Sequence, residues 1–357
     1  MRLIDFVIAL GDLFMPRACL ACGRRLGMRE RHLCLSCAAD VPYTRFWLAA
    51  HNPLADRFNA VLERHRGTEP MDYAYAAALL YYKGAYRSIP RALKYQGDLA
   101  AGRHYGALLG RRLAAAPHFA DIDLVIPVPL HWTRLRSRGY NQAEILARAL
   151  VDAFRSAPAT ALTAPTSSPG TSERWPVAAG HDEGTTPTTV SPGIPSTVPS
   201  GTPNTVIPGL TRNLPEVRPD LLVRARRTRT QTRVSVDQKA QNVASAFQVP
   251  DRFSPWARAI RRLSRIISFL SARWSNKVGP DEDESSEQDD TRHSRPDRES
   301  PADVLASAHH ILLVDDTFTT GATLYACYAT LRPFTTARIS IATLAAVEGT
   351  PSGTGGP

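Results

Sequence analysis

The sequence has no apolar run near the roughly 20 residues that a membrane-spanning helix requires, so a helical membrane protein is not expected from its 357 residues. It also lacks a G-x4-G-K-[ST] string, which removes the nucleotide-binding P-loop from consideration. Cysteine is scarce: there are five, four of them within the first 37 residues, and Cys327 stands alone far away. The opening MRLIDFVIALGDLF carries Asp5 and Asp12 inside its apolar stretch and has no small-residue cleavage site. A signal peptide is therefore not expected, and the expected location is cytoplasmic. Neither charge sign is missing, but 43 Lys and Arg outnumber 33 Asp and Glu for a formal charge of +10. With 43% hydrophobic residues, the chain can bury one large core or two smaller ones.

The cysteines that are present form a pattern. Cys19, Cys22, Cys34 and Cys37 are spaced C-x2-C-x11-C-x2-C. Each CxxC pair can present two thiolates to one ion, and four thiolates in a tetrahedron suit structural Zn²⁺. Two disulfides or a redox CxxC are the competing reading, but nothing directs the chain to an oxidising compartment and no βαβ unit surrounds the motif. Cys327 falls on an expected helix and reads as packing.

Proline is unevenly spread, with 12 of 28 in residues 157–219, a Ser/Thr/Gly-rich stretch without sustained hydrophobic period. A second irregular stretch, 251–306, holds the acidic run DEDESSEQDD. Both are expected to be disordered insertions. Within the second, Trp256, Ile260, Leu263, Ile267, Leu270 and Trp274 recur at helical spacing opposite several arginines. Such a basic amphipathic helix could meet an anionic membrane or a partner groove, or pack on its own domain.

The remaining chain alternates strand-like and helix-like segments. Residues 73–80, 123–129, 309–314 and 337–344 read as strands; 88–113, 141–154 and 322–331 read mainly as helices. Residues 221–224 read as a further short strand, and 234–247 as a loop leading into a helix. This alternation predicts an α/β fold with a mostly parallel sheet and helices on both faces. The expected layout is an N-terminal helix and zinc-ribbon region over 1–70, the α/β domain over 71–348 and a flexible tail over 349–357.

The most informative segment is ILLVDDTFTTGAT, residues 311–323. A buried strand here ends in Asp315 and Asp316, at the edge where open α/β sheets bind ligands. Paired carboxylates can accept hydrogen bonds from vicinal ribose hydroxyls and help hold a divalent cation. The turn Thr319, Thr320, Gly321, Ala322 and Thr323 gathers hydroxyls and backbone N–H groups at a helix start, which suits a phosphate monoester.

This segment resembles the phosphoribosyl-pyrophosphate (PRPP) signature of type I phosphoribosyltransferases. ALKYQGDLA (92–100), PVPL followed by HWTRLRSRGYNQAE (127–144), and LLVRARRTRTQT with QNVASAF (221–247) are similar to hallmark stretches of the ComF family. The resemblance implies a type I phosphoribosyltransferase-like domain behind a zinc ribbon, associated with competence, DNA uptake or DNA use. It implies Mg²⁺ accompanying PRPP or a nucleotide-like ligand, with Asp315 and Asp316 in the catalytic position. Arg134, Arg136, Arg138 and Gly139 would then hold pyrophosphate, and a second loop with Arg224, Arg227 and Gln231 would close over it. Alternatives for these basic loops are contact with single-stranded DNA or a solvated surface; DNA-uptake proteins are the further partner class.

Overall fold

The computed structural model describes residues 17–65, 72–156, 215–226, 246–250 and 300–349. Arg227 and Gln231, the amphipathic segment 256–274 and the acidic run 281–290 lie outside these residues. No helix among the described residues is long and apolar enough to cross a membrane.

The chain enters through two cysteine-bearing turns and α1 (Leu35–Ala39), then reaches α2 (Pro53–Arg64). Asn52 caps α2: its side-chain oxygen accepts the N–H groups of Leu54 and Ala55, and its amide donates to the carbonyls of Phe46, Ala49 and Ala76. One buried side chain thus fixes the helix start to strand β1 (Ala76–Tyr81). The stretch read as one helix from residue 88 is broken: α3 (Ser88–Arg91) runs into a π-helical turn, Ala92–Gln96, and Gly97 adopts a left-handed φ of 69°. Asp98 then caps α4 (Leu99–Ala114) by accepting the Ala101 N–H.

Next come β2 (Leu124–Pro127), α5 (Trp132–Arg138), α6 (Gln142–Arg155), and the short strands β3 (Glu216–Val217), β4 (Val223–Arg224) and β5 (Phe247–Gln248). The chain closes with α7 (Pro301–Ser307), β6 (His310–Phe318), α8 (Ala322–Leu331) and β7 (Arg338–Ala346). Five strands form one sheet in the order β1-β7-β6-β2-β3, every neighbouring pair parallel. Strands β4 and β5 make a separate antiparallel pair. The expected α/β class with a mostly parallel sheet is what the chain adopts.

Alternation along the central strands feeds two cores. Ile311 and Leu313 of β6 join Leu54, Phe58, Leu324 and Leu331 on one face, whereas Leu312 and Val314 join Leu93, Leu109, Leu146 and Leu150 on the other. On the second face α4 lies close against α6. A Cβ added at Gly106 would come 2.8 Å from the Leu146 carbonyl oxygen, and one at Gly110 would run into the Leu150 backbone. Gly110→Ala should therefore destabilise the fold by about 2 kcal/mol, because overlap with a rigid backbone outweighs the ~1 kcal/mol helix-propensity gain. A chemical-denaturation midpoint equal to or above that of the unaltered chain would contradict this packing.

Both irregular stretches end sooner than composition suggested. Glu216 and Val217 pair with Leu124 and Val125, and Arg155 donates to the Pro215 carbonyl at 2.9 Å, so 215–219 belong to the sheet edge. Residues 301–306 belong to α7, where Ser300 and Asp303 form a capping box and Leu305 is fully buried. Backbone pairing and capping override the proline-rich or polar composition at these two margins. Strand β6 also runs past Val314 to Phe318, because Asp315, Thr317 and Phe318 stay in register with Thr343, Ala345 and Ala346 of β7.

Candidate functional site

The N-terminal turns bring Cys19, Cys22, Cys34 and Cys37 together, with all four sulfur atoms within 4.8 Å of one another. Gly23, at φ 74°, allows the first turn, while the second leads directly into α1, which carries Cys37. No cysteine among the described residues is in a disulfide, and Cys22 Sγ lies 3.8 Å from Cys34 Sγ. Four thiolates about 2.3 Å from a tetrahedral zinc have sulfurs spaced by about 3.8 Å, so the residues fit a metal ion of that kind. Burial works against the Cys19 thiolate, but N–H groups of Cys22, Cys34 and Ala21 outweigh it and bring the pKa to about 6. Hydrogen bonding of its S–H to Cys34, burial and the neighbouring sulfurs push Cys37 up to about 12. A bound cation relieves the repulsion that keeps the last thiol protonated.

A second cluster forms at the carboxyl end of β6. Asp315 and Asp316 are adjacent on this strand, and Lys94 lies in the field of both. Asp316 is buried and binds Lys94, with Nζ 2.9 Å from Oδ2 and 3.2 Å from Oδ1. Burial disfavours the Lys94 ammonium, yet the charge of Asp316 and its hydrogen bond, aided by Asp315, raise the pKa overall. Asp315 accepts the Asp316 N–H at 2.8 Å and lies within the field of Arg224 and Cys327. It keeps one edge open, but surrounding protein and the charge of Asp316 lift its pKa to about 7, against the pull of Lys94 and Arg224. The two carboxylates are therefore unlike: one is locked in an ion pair, the other poised between charged and neutral.

Beyond them, Thr319 and Thr320 lead to Gly321, whose φ of 80° turns the chain into α8. No side chain caps this helix, so the N–H groups of its first turn face the turn without an intrahelical acceptor. A Cβ at Gly321 would sit 3.0 Å from the Phe318 ring, in a backbone conformation that side chains resist. Arg57 of α2 braces the turn: it donates to the Thr319 carbonyl at 2.8 Å and the Val347 carbonyl at 2.6 Å, above the Phe318 ring. Burial lowers the Arg57 pKa, yet both bonds are charge-assisted.

The basic segment after β2 is a helix, α5, rather than a loop, and it sits at the same sheet end because β2 pairs with β6. Arg136 is exposed; Arg138 lies over the Tyr95 ring at 5.4 Å; Gly139 ends the helix with φ 80°. Tyr140 donates its hydroxyl to the Leu93 carbonyl, and Asn141 donates to the Val128 carbonyl at 3.1 Å. The segments ALKYQGDLA and RSRGYNQ are thus brought against each other beside the acid pair.

All the expected residues of the PRPP-like turn, the acid pair and α5 lie at one sheet end. The cysteines form a separate cluster, and Arg227 and Gln231 fall outside the described residues. Sequence reasoning missed Lys94 and Arg57 as site residues. The first stood inside a quoted motif without an assigned role, whereas no local pattern marks the second. At the opposite, amino end of the sheet, His310 touches Asp121 at 2.6 Å and Ser340 at 2.8 Å. His310 and Ser340 are fully buried, so this Ser-His-Asp alignment is a polar clamp between strands that no substrate reaches.

No protein-family model matches the chain, and no curated protein matches it.

Proposed function

We propose that the carboxyl end of β6 binds a phosphorylated ribose, in the form of PRPP with Mg²⁺, and supports transfer at its anomeric carbon. One juxtaposition supports this reading: the acid pair, the uncapped start of α8 behind Gly321 and the arginines of α5 occupy the same edge of a parallel sheet. The hydroxyls of Thr319, Thr320 and Thr323 and the first N–H groups of α8 would hold the 5-phosphate. Asp315 and Asp316 would accept the ribose hydroxyls and stabilise positive charge developing at the ring. Arg134, Arg136 and Arg138 would hold the departing pyrophosphate. Mg²⁺, whose hard-oxygen preference matches Asp315 and Asp316, would neutralise phosphate charge. Zn²⁺ in the four-cysteine cluster is structural in this reading, since four thiolates leave no open position.

The motif resemblance to ComF supports a role in competence, DNA uptake or DNA use, in the cytoplasm. Release of pyrophosphate from PRPP, followed with Mg²⁺ and a panel of nitrogenous bases, tests transfer. Base-dependent release is the expected result. PRPP binding without release for any base would leave a ligand-sensing accessory module of the DNA-uptake machinery, and no binding would remove the ribose-phosphate reading.

A further inference from the structure

The guanidinium of Arg57 is spent on backbone carbonyls from two different strand ends, Val347 at 2.6 Å and Thr319 at 2.8 Å, and lies 5.2 Å from the centre of the Phe318 ring. We propose that Arg57 is a positioning residue for the ligand phosphate: it turns the Thr319–Thr320 peptide so that the Thr320 N–H faces the phosphate, and it sets a fixed positive charge behind that N–H. The inference rests on the ribose-phosphate reading above and adds to it a residue supplied from outside the sheet.

Three observations carry it. The first is peptide geometry. In a trans peptide the carbonyl and the following N–H point in opposite directions, so a Thr319 carbonyl held by Arg57 directs the Thr320 N–H away from the guanidinium. The N–H groups of Thr320 and Gly321 have no hydrogen-bond partner among the described residues, at a helix start that no side chain caps. Such donors are left for an anion. A charged donor on the carbonyl also polarises the peptide and strengthens the N–H on its far side.

The second is the chemistry of the residue. Thr319 and Val347 follow the neighbouring parallel strands β6 and β7, which stay tied here because the Val347 N–H donates to the Phe318 carbonyl at 2.9 Å. Only a planar fork reaches both carbonyls at once while laying its face toward an aromatic ring; a lysine is a point charge on a flexible stem. The far side is closed as well, since a Cβ added at Gly349 would come 3.1 Å from Arg57 Cδ.

The third is that the platform bearing Arg57 is fixed independently of the turn. Besides the Asn52 cap, Asn59 of α2 donates to the Ala74 carbonyl at 2.9 Å and accepts the Ala74 N–H at 3.0 Å, and Phe58 meets the Phe318 ring edge-on at 6.5 Å. A side chain held this way imposes an orientation on the turn instead of following it. Helix α2 also precedes residue 71, where the α/β domain was expected to begin, so the phosphate site draws on chain from before that boundary.

Calorimetric titration of the full chain and two variants with ribose 5-phosphate and with pyrophosphate, each with Mg²⁺, separates positioning from a purely structural role. Ribose 5-phosphate probes the turn, and pyrophosphate probes the arginines of α5. Arg57→Gln should lose about tenfold in ribose 5-phosphate affinity and Arg57→Lys about threefold, because lysine restores the charge but not the fork. Pyrophosphate affinity should stay unchanged in both. Arg57→Lys carries the test alone if the Arg57→Gln chain does not fold. Losses that run in parallel for the two ligands, or an Arg57→Lys chain that binds ribose 5-phosphate as tightly as the unaltered chain, would overturn the proposal and leave the ribose-phosphate reading standing. An unaltered chain that binds pyrophosphate but not ribose 5-phosphate would overturn that reading itself.

Discussion

Asp315→Asn combined with Asp316→Asn should weaken Mg²⁺-dependent PRPP binding by at least about a hundredfold, since it removes two charge-assisted contacts at once. The two substitutions should differ in their effect on the fold. Asp316 neutralises the half-buried Lys94 at 2.9 Å, so Asp316→Asn should cost about 1–3 kcal/mol. Asp315 behaves in the opposite way. Its pKa of about 7 lies above the ordinary 3.8, so between those values the folded chain holds a proton that the unfolded chain has released. Its contribution to stability is therefore lost as pH rises through that window. Asp315→Asn should flatten the decline and raise stability at pH 8, measured as denaturation midpoints from pH 4 to 8. A midpoint at pH 8 lower than that of the unaltered chain would contradict the burial of this carboxyl.

The second large effect concerns the cysteines. One zinc per chain should be found in protein purified without chelator, and Cys22→Ser should lose it. Structural zinc contributes about 10–16 kcal/mol of apparent binding free energy in small metal-dependent folds, far more than the cluster's small core of Cys19, Leu26 and Cys34 supplies. Loss of the metal should unfold the region around 17–40 while PRPP binding persists, because the acid pair and the turn are held by β6, α2 and α8. Elemental analysis showing no zinc, or a Cys22→Ser chain that keeps it, would rule this out. The released-proton count on zinc addition provides a check: Cys37, pushed up to about 12, must lose a proton on binding.

Much of the architecture was legible because the signals are local. Helix α8 spans 322–331 as read, and the apolar run read as a strand over 309–314 is found as β6, which begins at His310. Cysteine spacing placed the four-cysteine cluster for the same reason: each CxxC turn is a local unit. What escaped depends on pairing. The two-residue strand β3 has no side-chain periodicity and exists only because β2 offers it an edge. Helix α7 starts with Pro301 in a stretch that composition assigns to loop, although its Ser300 and Asp303 cap is visible in retrospect. Lys94 meets Asp316 across 222 positions, and Arg57 reaches Thr319 across 262, separations that no pattern within a window can span.

The most direct test is titration of the unaltered chain with PRPP, followed by heat or melting temperature, with Mg²⁺ present and then removed by chelation. A ribose-phosphate site at the carboxyl end of β6 predicts one PRPP per chain and a rise in melting temperature that disappears without Mg²⁺ and in the Asp315→Asn, Asp316→Asn chain. No binding at millimolar PRPP with Mg²⁺, or binding of equal strength in the double variant, would contradict it.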